Sequence, residues 1–270
     1  MAITTIDGAI AGFQAPRFFT KALSGTLVAG RPYSYWGTAG APGAGSYDAT
    51  LNGANLSSTS AQVAGQIYHA DPGSGNAYLA RLAAQSNQAG MLLLCDRLWS
   101  NGGYTITSTS AQNSTTPTFP ARDANGATSG AGVYIGLEVS AATGAGTPTL
   151  TMAYTNSGGT ASRSTTNVDA TVATSAAGTF YRLGLQAGDV GVQSVQSLTL
   201  SATWTSGTIN LVAYRIIAAL ELCSDQTSGA IDLLTSGMPQ IYNGTVPFLI
   251  FVPSATTTNS LWGTYTETQG

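Results

Sequence analysis

Residues 89–103 read AGMLLLCDRLWSNGG. The run holds Cys95, one of two cysteines, followed by Asp96, Arg97, Trp99 and a Gly-Gly turn. It reads either as a reactive site or as a buried strand, and alternation decides for the strand. In an extended chain successive side chains point to opposite faces. Leu92, Leu94 and Leu98 then share one face with Asp96, while Met91, Leu93, Cys95 and Trp99 share the other with Arg97. Apolar residues on both faces are the profile of a strand covered on both sides. Cys95 has no neighbouring histidine in sequence to activate its thiol. Asp96 and Arg97 point apart, so each requires a partner from another strand or another subunit. The NGG turn at 101–103 leads into YTITSTS, which reads as a further alternating strand.

Downstream the same period of two recurs. VYIGLEV (133–139) puts Val133, Ile135, Leu137 and Val139 on one face. TLTMAYT (149–155) and LTLSATW (198–204) alternate apolar residues with Thr, Ser and Ala. One apolar and one neutral-polar face signal antiparallel sheet. NSGG (156–159) and TSG (205–207) read as short hairpin connections. TINLVAYRIIAALEL (208–222) is apolar on both faces and reads as a central or interface strand. The fold class expected is mainly β: an antiparallel, jelly-roll-like β-sandwich with one or two short helices and extended N- and C-terminal arms. Residues 1–60, rich in Gly, Ala and Pro, read as an extended arm or loop region. Residues 61–222 read as the sandwich domain, and 223–270 as a C-terminal strand, VPFLIFV, with a tail. One helix is expected at 16–24, with Pro16 in its first turn and Gly25 at its end. A second is expected at 76–89, capped by Asn76 and stopped by Gly90.

Composition narrows the function. Only 8% of the 270 residues are charged, against about 25% in an ordinary soluble domain. A free monomer usually keeps a well-charged surface, so this chain reads as an assembly subunit. The net charge is −3, and the eight arginines form no run. Nucleic acid recognition needs clustered cations, so no direct nucleic acid partner is expected. No stretch approaches the roughly 18 apolar residues of a membrane span. The start, MAITTIDGAIAGF, lacks the features of a secretory leader, so synthesis in a cytoplasm is expected. Cys95 and Cys223 have no metal-type spacing and read as free, interior thiols.

Catalytic and metal motifs fail one by one. There is no G-x-S-x-G elbow. His69, the only histidine, lies near Asp71 and Ser74, but triad members usually come from separate elements; His69 reads as a loop residue. Zinc needs several Cys or His ligands. Asp123 and Asn125 precede Gly126 without the later acidic ligand of a calcium loop, so they read as turn-closing residues. The single lysine, Lys21, leaves no phosphate-binding G-x-x-x-x-G-K. Glu138 and Glu221 could serve as a glycosidase pair only if brought within a few ångströms. Trp36, Trp99, Trp204 and Trp262 could stack on sugars, although tryptophans in a sandwich more often fill cores. No catalytic, cofactor-binding or metal residue is therefore assigned, no cofactor is expected, and the chain reads as no enzyme.

Three runs carry a resemblance: APRFFTKALSGTLVAGRPYSYWGTAGAPGA, FPARDANGATSGAGVYIGLEVSAATGAGTPTLTMAYTNSGGTASRS and AGTFYRLGLQAGDVGVQSVQSLTLSATWTSGTINLVAYR. In low charge, Gly/Ala/Thr richness and long strands they resemble virion structural proteins of tailed bacteriophages. The resemblance is one of texture and transfers no functional residue. Among such proteins a capsid decoration (cement) protein fits best. That implies a homo-oligomer, a trimer by preference, bound to the major capsid protein on the virion surface. A tail tube or a fibre or baseplate component is the second reading, and a carbohydrate-binding or depolymerase module the third.

Overall fold

A computed structural model of the chain describes residues 3–60, 62–223 and 227–270. The first quarter holds α1 (Ile6–Ala11), β1 (Arg17–Leu23), β2 (Tyr33–Ser34), β3 (Gly40–Ala41) and β4 (Ala54–Asn55). Then come β5 (Ala77–Ser86), β6 (Gly90–Ser100), β7 (Gln112–Asn113), β8 (Val133–Ala141) and β9 (Leu150–Asn156). β10 (Arg163–Thr166), β11 (Phe180–Arg182), β12 (Val192–Leu200) and β13 (Thr208–Leu222) follow. The C-terminal part has β14 (Gly229–Asp232), α2 (Leu233–Ser236), β15 (Gln240–Ile241), β16 (Pro247–Pro253) and β17 (Asn259–Gln269). The protein is mainly β, with antiparallel sheets in a sandwich-like arrangement and two short α-helices.

Three sheets form. The central one runs β11-β8-β13-β6-β16-β2, with β4 on β6. A second runs β14-β5-β17-β1-β3, with β15 on β5, and a third runs β10-β9-β12-β7. β13 is the pivot. Ile209, Leu211 and Ala213 join a core with Leu150, Met152 and Tyr154 of β9 and Leu198 and Leu200 of β12. Farther along, Ile217, Leu220 and Leu222 join a second core with Leu79 and Leu82 of β5 and Leu261 and Tyr265 of β17. Val212 and Tyr214 point the other way, into a third core with Trp36, Leu56, Cys95 and Phe248. The central sheet is thus covered on both faces, as the apolar runs of β6 and β13 require.

β6 matches the strand reading of 89–103, with one adjustment. Trp99 pairs with Ala213 and Arg97 with Tyr214, leaving Leu98 as an extra residue. This bulge brings Leu98 and Trp99 into the same core. A bulge re-aims side chains in this way, and strict alternation cannot anticipate it.

Both expected helices are strands. Residues 17–23 form β1, and 77–86 form β5 between β17 and β14. Leu79, Leu82 and Ala83 fit a helical stripe, but β5 buries Leu79, Leu82 and Ala84 against the second core, and tertiary pairing overrides helix propensity. The helices form instead at Ile6–Ala11, capped by Thr5, and at Leu233–Ser236, capped by Asp232. The last dozen residues are no tail, because β17 pairs with β1 and β5 along nearly its whole length. YTITSTS forms no strand: Tyr104 and Ile106 are buried within irregular chain. NSGG does turn β9 into β10. TSG makes no hairpin, because β12 pairs with β9 while β13 lies between β8 and β6, so the turn carries the chain from one sheet to another.

Gly136 marks a close approach. A Cβ there would meet Phe180 Cζ at 2.1 Å, and Phe180 is fully buried. Gly136→Ala is expected to cost about 1–3 kcal/mol through overpacking, read as a lower urea midpoint; an unchanged midpoint would show that the ring can yield.

Candidate functional site

The charges of β6 are met inside the chain. Arg97 and Glu138 lie two strands apart in the central sheet and bridge over β13, with Arg97 Nη1 donating to Glu138 Oε2 at 2.7 Å. Both side chains are fully buried. Tyr47 donates to the other carboxylate oxygen at 3.0 Å. Arg97 Nε and Nη2 have no hydrogen-bond partner among the described residues. Aromatic faces surround the guanidinium instead, with Trp36 at 4.5 Å, Phe248 at 5.5 Å and Tyr47 at 5.8 Å. Ring quadrupoles attract a cation, more so away from water.

On the opposite face Asp96 accepts from Arg122 Nε at 3.0 Å and from the Val246 amide at 2.9 Å. Arg122 also donates to the carbonyls of Leu56, Arg97 and Gly244. Four of its five donors thereby fasten the irregular segment at Leu56 and the turn at 242–246 to β6.

Two more buried groups follow the same pattern. Lys21 Nζ donates to Thr38 and Gly43 carbonyls, each at 2.7 Å. Burial lowers its pKa to about 8. Asp123 accepts from the amides of Asn125, Ala127, Gly130 and Ala131 and from Ser129 Oγ. Burial opposes the carboxylate, but these bonds outweigh it and hold the pKa below the usual range. The loop is the expected Asp-closed turn; both carboxylate oxygens are committed to backbone and hydroxyl donors.

His69 is not a plain loop residue. Its ring is fully buried, with Nδ1 2.7 Å from Glu267 Oε1 and Nε2 3.0 Å from Asp71 Oδ1. Only a position on β17, misread as tail, supplies Glu267, so the sequence carried no usable signal for this cluster. Ser74 is exposed and is not a hydrogen-bond partner of the ring. Glu138 and Glu221 are not brought together: Glu138 pairs in register with Asn210, and Glu221 lies eleven residues farther along β13, roughly 35 Å away. Trp36, Trp99 and Trp204 are fully buried, leaving Trp262 partly exposed, its Nε1 donating to Gln85 Oε1 at 2.9 Å. Cys95 is buried and its thiol pKa is pushed up by burial. Cys223 is exposed rather than interior, because it follows the last paired residue of β13, Leu222. Among the described residues no group of three or more Cys, His, Asp and Glu could hold a metal ion, and no helix is long and apolar enough to cross a membrane.

The surface shows the converse. Among the described residues, Lys21, Arg97, Arg122 and Arg215 of the cations and Asp96, Asp123, Glu138 and Glu267 of the acids are buried. Large apolar residues are exposed instead. Ile6 and Ile10, one helical turn apart on α1, are 58% and 56% exposed, with Phe13 just beyond. A cleft of about 360 Å³ opens between Tyr134, Val168, Leu183, Tyr214 and Ile216, with Arg182 at its side.

No family model and no curated protein matches the chain. Solved structures that align with it include the infectious bursal disease virus VP2 subviral particle, at 11% identity and a TM-score of 0.18, over 96% of this chain and 80% of that one. Particles derived from infectious bursal virus align at 10% identity and a TM-score of 0.17, over 95% and 77%. Both neighbours are proteins of virus particles.

Glu138→Gln is expected to destabilise the fold by about 3–5 kcal/mol, since it leaves Arg97 buried without a counterion. Replacing both with leucine is expected to recover much of that loss. Urea unfolding of the two variants against the parent chain measures the difference; equal losses would deny the coupling.

Proposed function

We propose that the chain is a non-enzymatic structural protein of a virus particle, and specifically a phage capsid decoration protein that stabilises the shell through contacts between subunits. The observation that carries the reading is the placement of charge. A chain with few charged residues spends eight of them inside and exposes an apolar ridge on α1 and an apolar cleft on the central sheet. Exposed apolar patches on a low-charge surface mark sites of association. Binding only the assembled shell stabilises it by mass action.

The first residues serve this role in a different form from a loose arm. Gln14 N donates to the Glu267 carbonyl at 2.9 Å, and Thr268 Oγ1 donates to the Ala9 carbonyl. α1 is therefore docked on β17 and offers a fixed ridge to a neighbour. A fixed ridge loses less conformational entropy on binding than a free arm. Carbohydrate binding is the competing reading, supported by the partly exposed Trp262 beside Gln85.

Light scattering should give a stable oligomer, a trimer on this reading. Images of particles containing the chain should show three-fold clusters on the outer shell. Ile6→Asp with Ile10→Asp should reduce occupancy at least tenfold, about 1.4 kcal/mol, with the monomer's circular dichroism unchanged. Stacked hexamers would point to a tail tube, and glycan binding lost in Trp262→Ala would favour the carbohydrate reading.

A further inference from the structure

His69 sits where three chain segments meet. Nδ1 faces Glu267 on β17 and Nε2 faces Asp71 in its own loop, at 2.7 and 3.0 Å. The same Asp71 oxygen accepts from the Gly244 amide at 2.7 Å. The Gly244 carbonyl accepts from the Ser58 amide at 3.1 Å and from Arg122, whose Nε reaches Asp96. A polar chain therefore runs from β17 through His69, Asp71 and Gly244 to β6. We infer that His69 is a protonation-controlled clasp: as imidazolium it ties the 66–76 loop to β17 and holds the 242–246 turn through Asp71, and on losing a proton it releases that turn.

The chemistry follows from the inventory of donors. Imidazolium has two N–H donors, while neutral imidazole has one donor and one lone pair. Here Nδ1 is hydrogen-bonded to Glu267, Nε2 lies 3.0 Å from Asp71 Oδ1 as an ion-pair contact without an aligned hydrogen bond, and the ring is fully shielded from solvent. Whichever tautomer forms, the neutral ring leaves an unprotonated nitrogen about 3 Å from an anion, in a place where water screens little. Only the charged ring suits both neighbours.

The release has a direction. The Glu267 side chain is 6% exposed, while that of Asp71 is 43% exposed. Glu267 also accepts from Tyr265, and Gln269 Nε2 donates to the Ala70 carbonyl at 3.1 Å, both holding the β17 side. The retained proton therefore stays on Nδ1 toward Glu267. Nε2 loses its proton, and Asp71 swings to water, taking its bond to Gly244 with it.

The other charged and titratable groups around the ring are few. Tyr265 on β17 contacts Glu267, and its own ionisation is pushed far up by burial. Arg17 on β1 lines the same small cleft as Glu267 and Tyr265, its guanidinium 4.5 Å over the Tyr68 ring. Asp96 and Arg215 act on Tyr265 through their fields, in opposite directions. Burial alone would lower the histidine pKa, but the bond to Glu267 and the fields of Glu267 and Asp71 outweigh it and raise it. A raised folded-state pKa gives stability that is complete below the unfolded value, about 6.5, and lost as pH rises through the folded value. The clasp is closed in mild acid and opens toward alkaline pH.

A single histidine makes the test direct. The one imidazole resonance of the native chain should titrate with a midpoint above about 6.5, leaving Nδ1 protonated. Protection of the Gly244 amide from hydrogen exchange, corrected for base catalysis, should fall about tenfold per pH unit above that midpoint. The Val139 amide, bonded to Thr179 in the central sheet, should not follow. Asp71→Asn should lower the midpoint, and His69→Gln should leave Gly244 unprotected at every pH. A midpoint at or below about 6.5, or Gly244 protection that stays flat across it, would overturn the clasp. Both readings come from the unmodified chain, so they stand even if His69→Gln does not fold.

Discussion

Two neighbouring residues, Asp96 and Arg97, carry opposite charges to opposite faces of a strand buried on both sides. A buried charge without a partner costs several kcal/mol, so each face of β6 must supply a counterion. Glu138 and the rings of Trp36, Tyr47 and Phe248 do so on one side. Arg122 does so on the other, and its remaining donors take up carbonyls at Leu56 and Gly244. Much irregular chain is placed by this requirement. The glycine- and proline-rich segment before residue 67 has little regular structure, yet Trp36 and Leu56 within it are fully buried because they close one face of the central sheet.

The same economy shapes the surface. Each pair drawn inside removes charge from the exterior of a chain that began with little. Two pairs nearer the surface, Arg163 with Asp189 and Arg182 with Asp169, neutralise one another, with each acid's side chain largely covered. What is left is a surface dominated by Thr, Ser, Gly and Ala, with charges scattered singly, such as Asp7, Arg17, Arg81, Glu221 and Asp232, and interrupted by the α1 ridge and the cleft at Tyr134 and Ile216. Mutual repulsion, which keeps ordinary monomers apart, is weak on such a surface.

Legibility in the sequence followed the physics of each segment. β8, β9 and β13 were readable because one or both faces are apolar with period two, and their side chains are buried as that period requires. Residues 90–100 are legible as a strand for the same reason. β5 was not readable: Leu79, Leu82 and Ala83 fit a period of 3.6, and Asn76 and Gly90 mimic helix ends. Its strand state depends on β17, which lies about 180 residues away and pairs with it from Leu261↔Ser86 to Gln269↔Ala77. β17 in turn is mostly polar, with three threonines and a glutamate, and buries Asn259, Thr266, Glu267 and Thr268 among its neighbours, so its sequence has the look of a tail. Long-range pairing leaves no local trace, and two strands that justify each other were missed together. The His69 cluster was lost with them, because Glu267 belongs to β17.

The bulges at Leu98 and Ile217 show why one long strand pair can serve two cores. A regular β13 would keep one set of side chains on one face for all fifteen residues. At Ile217 the register against β6 shifts by one, and the inward set passes from Ile209, Leu211 and Ala213 to Leu220 and Leu222. The first set meets the β9–β12 sheet and the second meets the β5–β17 sheet. The two outer sheets therefore need not share a twist or a strand direction; each answers only to its own half of β13. A change at the β17 end, such as proton loss from His69, acts on the second core. It meets the first through β6 and β13, the two strands that contribute side chains to both cores.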